Sequence, residues 1–248
     1  MATEPSRLDW IPAKIAALAP LSARILRVEL EPEHWHPSLP GQHVDVRLTA
    51  EDGYQAQRSY SLLAATRNGR YELAIEKLDE GEVSPYFHED AAVGDELEVL
   101  GPVGGHFIWK ADETRPVLLV GGGSGVVPLL AIARARMESG VSAPMCLLYG
   151  ARTLPDIILY QQLLDWEAQD NGFRLHLALS RATQPPRPQD HPGRLNAAMV
   201  QQAIQGLGMP AEIQCYVCGS NGFVETATTA MLDAGLEATQ IRTERFGG

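Results

Sequence analysis

Four segments of this 248-residue chain carry residue types and spacings suited to chemistry. The first is Gly121-Gly122-Gly123-Ser124-Gly125-Val126-Val127-Pro128. Glycines let a backbone approach a pyrophosphate closely, and the free N–H groups at a helix start bind anions. Pro128 suits the first helical turn, where its missing N–H costs nothing. Such a cluster also makes ordinary tight turns; its place between an apolar run and a helical stretch favours the phosphate role. The second segment is a pair of arginines, Arg152 and Arg181, each just past an apolar run. If the two runs are neighbouring strands, both guanidiniums reach one phosphate, whose oxygens match their planar forks. No acid follows residues 145–149, where a dinucleotide fold ordinarily places one for the ribose hydroxyls. That pattern favours NADP over NAD; two ordinary surface arginines are the alternative.

The third segment is Arg58-Ser59-Tyr60-Ser61. In a strand Arg58 and Tyr60 share a face, and an aromatic ring beside a guanidinium suits a planar cofactor that carries phosphates. Taken alone, the tetrapeptide is as readily an exposed tyrosine packed on an arginine stem. The fourth is Cys215-Tyr216-Val217-Cys218, spaced like a redox or metal pair. Residues three apart in a strand point to opposite faces, which argues against a shared metal or a disulfide. Cys218, before Gly219 at the carboxyl end of its strand, sits where open α/β sheets bind ligands, whereas Cys146 and Cys215 read as core. The seven histidines show no metal-ligand spacing, and His34 and His36 beside Trp35 read as a surface loop. No serine stands at a strand-to-helix elbow, which argues against covalent hydrolysis.

Two halves of different period position these segments. The first half has short β-rich runs at 24–30, 42–48, 58–63, 71–77 and 96–100, separated by Pro40-Gly41, Asp52-Gly53, Asn68-Gly69 and Gly94-Asp95. Strands at such spacing predict a small antiparallel barrel, interrupted by one weak helical stretch at 84–90. After Pro116 the apolar runs 117–120, 145–149, 175–179 and 213–217 alternate with helical stretches at 128–137, 160–168, 196–205 and 222–234. That alternation predicts a doubly wound parallel sheet, with a domain boundary at 110–115 and a Pro-rich loop at 184–192.

Composition narrows the class further. With 45% hydrophobic and 21% charged residues the chain is globular. Its net charge of −11 argues against nucleic acid or an anionic membrane as partner. The charge divides as −9 over residues 1–112 and −2 over 113–248, and all ten cations of the second part are arginines. Three cysteines fit a reducing compartment and no disulfide framework. Neither a basic-then-apolar leader nor an apolar run of about 20 residues is present, so the expectation is a soluble cytoplasmic protein.

In order, Arg58-Ser59-Tyr60-Ser61, Gly81-Glu82-Val83-Ser84, Gly101-Pro102-Val103-Gly104-Gly105-His106-Phe107, the glycine turn, Cys218-Gly219 and Glu244-Arg245-Phe246-Gly247 closely resemble the ferredoxin–NADP reductase superfamily. The resemblance spans nearly the whole chain and is greatest to bacterial reductase components that supply electrons to oxygenases. It implies a six-stranded antiparallel β-barrel for FAD at residues 1–112, then an α/β doubly wound five-stranded parallel sheet for NAD(P) at 113–248. By that resemblance Arg58 binds the FAD pyrophosphate, Tyr60 stacks on the isoalloxazine and Ser61 lies near its N5. Ser59, Ile75, Gly81, Val83 and Ser84 complete the flavin site, the last three through the start of a helix. Gly122, Gly123, Ser124, Gly125 and Pro128 hold the NADP pyrophosphate, and Cys218 and Gly219 flank the nicotinamide. Phe246 covers the other flavin face, and Glu244 lies near the site of hydride transfer.

The chain departs from the family pattern in three places. Val127 stands where many relatives have threonine, and Gly247-Gly248 extend past Phe246, where many relatives end. Three cysteines cannot ligate a plant-type 2Fe–2S cluster, so the electron acceptor is expected to be a separate molecule. The implied activity is hydride transfer from NADPH to FAD, then single electrons to a carrier such as a ferredoxin or to an oxygenase system. A reductase of free flavin or quinone is the enzymatic alternative, and a non-catalytic sensor binding both cofactors is the alternative of another class.

Overall fold

Alternating burial folds the first half into a barrel. In β1 (Ile11–Pro20), Ile11, Ala13 and Ile15 are buried while Pro12 and Lys14 face solvent, the two-residue period of a strand with one wet face. The computed structural model describes residues 8–64 and 68–246. The antiparallel strands β2 (Ile25–Pro32), β3 (His43–Thr49), β4 (Gln55–Ser61), β5 (Tyr71–Glu76) and β6 (Glu96–Val103) join β1 in the order β4-β3-β6-β1-β2-β5. A bridge between Leu62 and Leu73, with Leu63 N–H donating to Glu72 O at 2.7 Å, brings the two edges together. Val28, Leu30, Val44, Val46, Leu73 and Val99 fill the interior, and the short helix α1 (Ser84–Glu89) plugs one end with Phe87. The sequence reading has no strand at β1. Alanine and proline are weak strand formers, and pairing with both β2 and β6 defines this one.

The second half is a parallel sheet in the order β10-β9-β8-β7-β11-β12. Its strands are β7 (Val117–Gly122), β8 (Met145–Ala151), β9 (Phe173–Leu179), β10 (His191–Pro192), β11 (Gln214–Gly219) and β12 (Ile241–Arg245). The expected five strands are the long ones. The two-residue β10 adds a sixth, where the Pro-rich loop touches β9. Helices α2 (Val127–Ser139) and α3 (Tyr160–Ala168) cover one face; α4 (Ala197–Leu207) and α5 (Asn221–Asp233) cover the other. Burial on both faces is why the strands are continuously apolar. Cys218 lies in one of these layers and Cys215 in the other, as their spacing requires. From β7 the chain proceeds outward to β8 and β9, then returns to β11 on the other side. The carboxyl end of β7 is therefore the switch point where open α/β sheets have a crevice.

The barrel packs on the α2/α3 side. Ile25, Leu63, Ala74, Phe107 and Trp109 share one apolar cluster with Leu129, Leu130 and Tyr216. Polar bonds cross the same junction. Arg134 Nη1 of α2 lies 3.0 Å from Glu72 Oε2 of β5, and Tyr216 Oη donates to Ile108 O at 3.0 Å.

Candidate functional site

A cleft of about 730 Å³ opens at the switch point, between the carboxyl ends of β7, β8, β9 and β11 and the barrel. The glycine turn forms its floor. β7 runs into a 3₁₀ turn, Gly123–Val126, and α2 follows with Pro128 in its first turn. Gly123 has φ +57°, a left-handed conformation that suits glycine. A Cβ on Gly125 would lie 2.6 Å from Cys218 O and Gly219 Cα, both backbone. The turn thus tolerates no side chain there, and the close approach keeps it against the end of β11. Val127 is buried, so a polar side chain at that position would sit in the core. Phe223, at the start of α5, lies over Gly122, Gly150 and Gly219, where added Cβ atoms would meet its ring at 2.7, 3.0 and 2.8 Å. Sequence reading did not find Phe223; only the packing of three strand ends reveals it.

Register brings the other end of the site together. Cys218 pairs with Gly121 of β7 on one side and Glu244 of β12 on the other. The thiol is fully buried, and burial, with Glu244 as a lesser cause, pushes its pKa up, so it is a neutral group. Burial raises the Glu244 carboxyl to about 7. Phe246 donates its N–H to Gly219 O at 3.1 Å and lines the cleft; Gly247 and Gly248 lie outside the described residues.

The two arginines do leave adjacent strand ends, since Arg181 N–H donates to Arg152 O at 2.8 Å. Arg152 lines the cleft together with Arg194, and Arg181 is exposed beside it. Arg194 was missed because it follows the Pro-rich loop, with no strand period to mark its destination. Asp156 does not hold Arg152. Its Oδ2 accepts from Thr153 N–H at 2.9 Å and from Thr153 Oγ1 at 2.6 Å.

On the barrel, Tyr60 is half-buried, its ring edge-on to Phe87 at 6.3 Å, and desolvation raises its phenol. Arg58 is exposed and donates to Gln57 O, while Ser59 Oγ bonds Asp45 Oδ1. Ser61 is 5% exposed and its Oγ has no hydrogen-bond partner among the described residues. A buried hydroxyl without a partner is costly, so this oxygen fits a polar group arriving at the strand end. The 78–84 turn is tight: Gly81 N–H donates to Leu78 O at 2.9 Å, and a Cβ on Gly81 would lie 3.0 Å from Ser84 Oγ. Ser84 Oγ accepts from Leu78 N–H at 3.1 Å, which leaves its hydrogen free to donate. Ile75 and Val83 are buried in the barrel core, so backbone is what these two positions offer a ligand. Among the described residues no group of three or more metal-ligating side chains occurs, and all three cysteines are buried thiols.

An oxidoreductase FAD-binding domain family matches residues 17–108, and an oxidoreductase NAD-binding domain family matches residues 119–229. The chain belongs to the ferredoxin–NADP reductase-like superfamily. Both cofactor classes of this superfamily find suitable groups here: the orphaned Ser61 hydroxyl on the barrel and the glycine turn in the cleft. The chain is 29% identical over 207 residues to the ferredoxin–NAD(P)(+) reductase component of the naphthalene 1,2-dioxygenase/salicylate 5-hydroxylase systems of Ralstonia sp., covering 84% of this chain and 60% of that one. It is 29% identical over 212 residues to the glycine betaine monooxygenase reductase subunit of Chromohalobacter salexigens, covering 84% and 56%. The chain thus spans less than two thirds of the length of these relatives. In fold it matches the FAD/NAD-binding domain of nitric oxide dioxygenase from Vibrio cholerae, with a TM-score of 0.82 at 22% identity, covering 96% and 99%. No helix among the described residues is long and apolar enough to cross a membrane.

Proposed function

We propose that this reductase-like chain accepts hydride from NADPH at a bound FAD and passes the electrons singly to a separate carrier, a ferredoxin or an oxygenase component. The observation that carries the reading is the convergence, in one interdomain cleft, of the glycine turn with Phe246 and the Gly219 end of β11. When bound, FAD supplies the change from two-electron to one-electron transfer. The chain's own part is alignment and exclusion of water. Arg58 and the N–H groups of the 81–84 turn hold the flavin pyrophosphate, with the Ser84 hydrogen free to join them. Tyr60 and Phe246 bound the ring, and Ser61 donates its orphaned hydroxyl near N5. Gly122, Gly123, Ser124 and Gly125 hold the coenzyme pyrophosphate, with Pro128 starting the helix behind them. Cys218 is neutral and packed beside the nicotinamide position, so it orients the ring without offering a charge.

NADPH is the preferred coenzyme in this reading because Arg152 and Arg194 face the cleft, Arg181 stands beside them and Asp156 is occupied by Thr153. Each charge-assisted contact is worth about 1.5–3 kcal/mol, roughly ten- to a hundredfold in affinity. Replacing Arg152, Arg181 or Arg194 by alanine should each lower the NADPH/NADH ratio of specificity constants; a ratio untouched by all three removes the arginine argument. Three buried thiols support a cytoplasmic setting. The deciding experiment on the acceptor is anaerobic mixing of the NADPH-reduced protein with ferredoxins, quinones and free flavins. Fast reoxidation by a ferredoxin is expected. Reoxidation by free flavin or quinone alone would replace the carrier assignment.

A further inference from the structure

The coenzyme cleft has a wall supplied by the barrel, whose polar lining is Ser22, Arg24 and the acid Glu76. Glu76, the last residue of β5, lines the cleft opposite the glycine turn, against which β5 packs. Two acids line this cleft, Glu76 and Asp156. Asp156 is engaged with Thr153. The Glu76 carboxylate accepts no hydrogen bond among the described residues, and its side chain is 28% exposed. Its ion-pair partner is Arg24, whose Nε lies 4.0 Å from Glu76 Oε1, too far for a hydrogen bond. Arg24 is itself fixed from behind, with Nη2 donating to Lys77 O at 2.7 Å and lying 3.6 Å from Asp79 Oδ2. The carboxylate is thus oriented by a neighbouring cation and open on its cleft side.

A carboxylate in a site for a phosphate-bearing ligand must meet the part of that ligand that donates hydrogen bonds. In a nicotinamide dinucleotide those donors include the ribose hydroxyls, and two carboxylate oxygens accept from a cis-diol together. Position decides which ribose. Ile75, next to Glu76 on the opposite face of β5, points into the barrel core, the half that would carry the flavin. Hydride transfer requires the nicotinamide to contact the flavin, so the ribose it carries lies next to the barrel. The adenosine half reaches towards Arg152 and Arg194 at the far strand ends. We infer that Glu76, oriented by Arg24, is the acceptor for the hydroxyls of the nicotinamide-side ribose, a contact common to NADH and NADPH. The inference rests on the cleft being the coenzyme site.

The test is isothermal titration of FAD-loaded wild type and Glu76→Gln with NADP⁺, NAD⁺ and 2′-AMP. The last carries the adenosine and 2′-phosphate but no nicotinamide ribose. Glu76→Gln should weaken NADP⁺ and NAD⁺ alike by about tenfold, the worth of one charge-assisted hydrogen bond, while 2′-AMP affinity and FAD content stay at wild-type values. Glu76→Asp, which keeps the charge on a shorter stem, should fall between. A loss confined to NAD⁺ would place Glu76 on the adenosine ribose and overturn the assignment. Equal weakening of 2′-AMP, or both coenzymes within twofold of wild type, would overturn it as well. Wild type binding none of the three ligands would instead remove the coenzyme site itself.

Discussion

Replacing Ser61 by alanine should stabilise the flavin-free protein and weaken its hold on FAD, two effects of opposite sign from one oxygen atom. Ser61 ends β4, 5% exposed, with no partner for Oγ among the described residues. Burying an unsatisfied hydroxyl costs about 1–3 kcal/mol, and alanine removes the oxygen while keeping the Cβ contacts. Flavin-free Ser61→Ala should therefore unfold at higher temperature, by roughly 2–4 °C for each kcal/mol relieved in a domain of 150–250 residues. In the FAD complex the wild-type hydroxyl gains its partner, so the variant loses that gain. FAD affinity should fall by about 1–3 kcal/mol, or roughly five- to 150-fold. Thermal melts of both proteins, flavin-free and FAD-saturated, separate the two effects in a single thermodynamic cycle. If flavin-free Ser61→Ala melts below flavin-free wild type, or if FAD stabilises both proteins equally, the hydroxyl is not the flavin contact.

Other consequences follow from specific contacts. Burial raises the Glu244 carboxyl from 4.5 to about 7, so the folded state holds a proton that the unfolded state releases. Stability should therefore fall as pH rises from about 4.5 to 7, and Glu244→Gln should flatten that slope in melts across the range. Gly125→Ala places a Cβ 2.6 Å from the backbone of Cys218 and Gly219; coenzyme affinity by titration should drop more than about tenfold, with FAD content retained. Glu72→Gln removes the ion pair with Arg134 Nη1 at 3.0 Å, between groups whose side chains are 19% and 17% exposed. The expected cost is about 1.5–3 kcal/mol, and calorimetry should show the barrel and the sheet unfolding less cooperatively.

Much of the scaffold was legible because both halves have simple periods. The alternation of Val44 and Val46 with Asp45 and Arg47 and the solid apolar run at Val117–Val120 each specify a strand with a known number of buried faces. The opposite orientation of Cys215 and Cys218 follows from the same periodicity. β1 was not legible, since Ala16, Ala17, Ala19 and the flanking prolines carry no strand preference, and it is pairing with β2 and β6 that defines the strand. Within the site, the glycine turn and the two strand-end arginines were readable from their place after apolar runs. Arg194, Glu76 and Phe223 were not. Each reaches the cleft from a loop, a different domain or a helix start, and local periodicity says nothing about which distant ends converge.

If the two halves form one hydride-transfer site, single-turnover reduction will report it. FAD-loaded protein mixed anaerobically with excess NADPH should lose its visible flavin absorbance in a rapid phase. Cys218→Ser should slow that phase without changing FAD content, since the proposed site puts the thiol beside the nicotinamide and away from the phosphates. Absence of bleaching by either NADPH or NADH in protein that retains FAD and binds coenzyme would rule out hydride transfer and leave a non-catalytic binding protein.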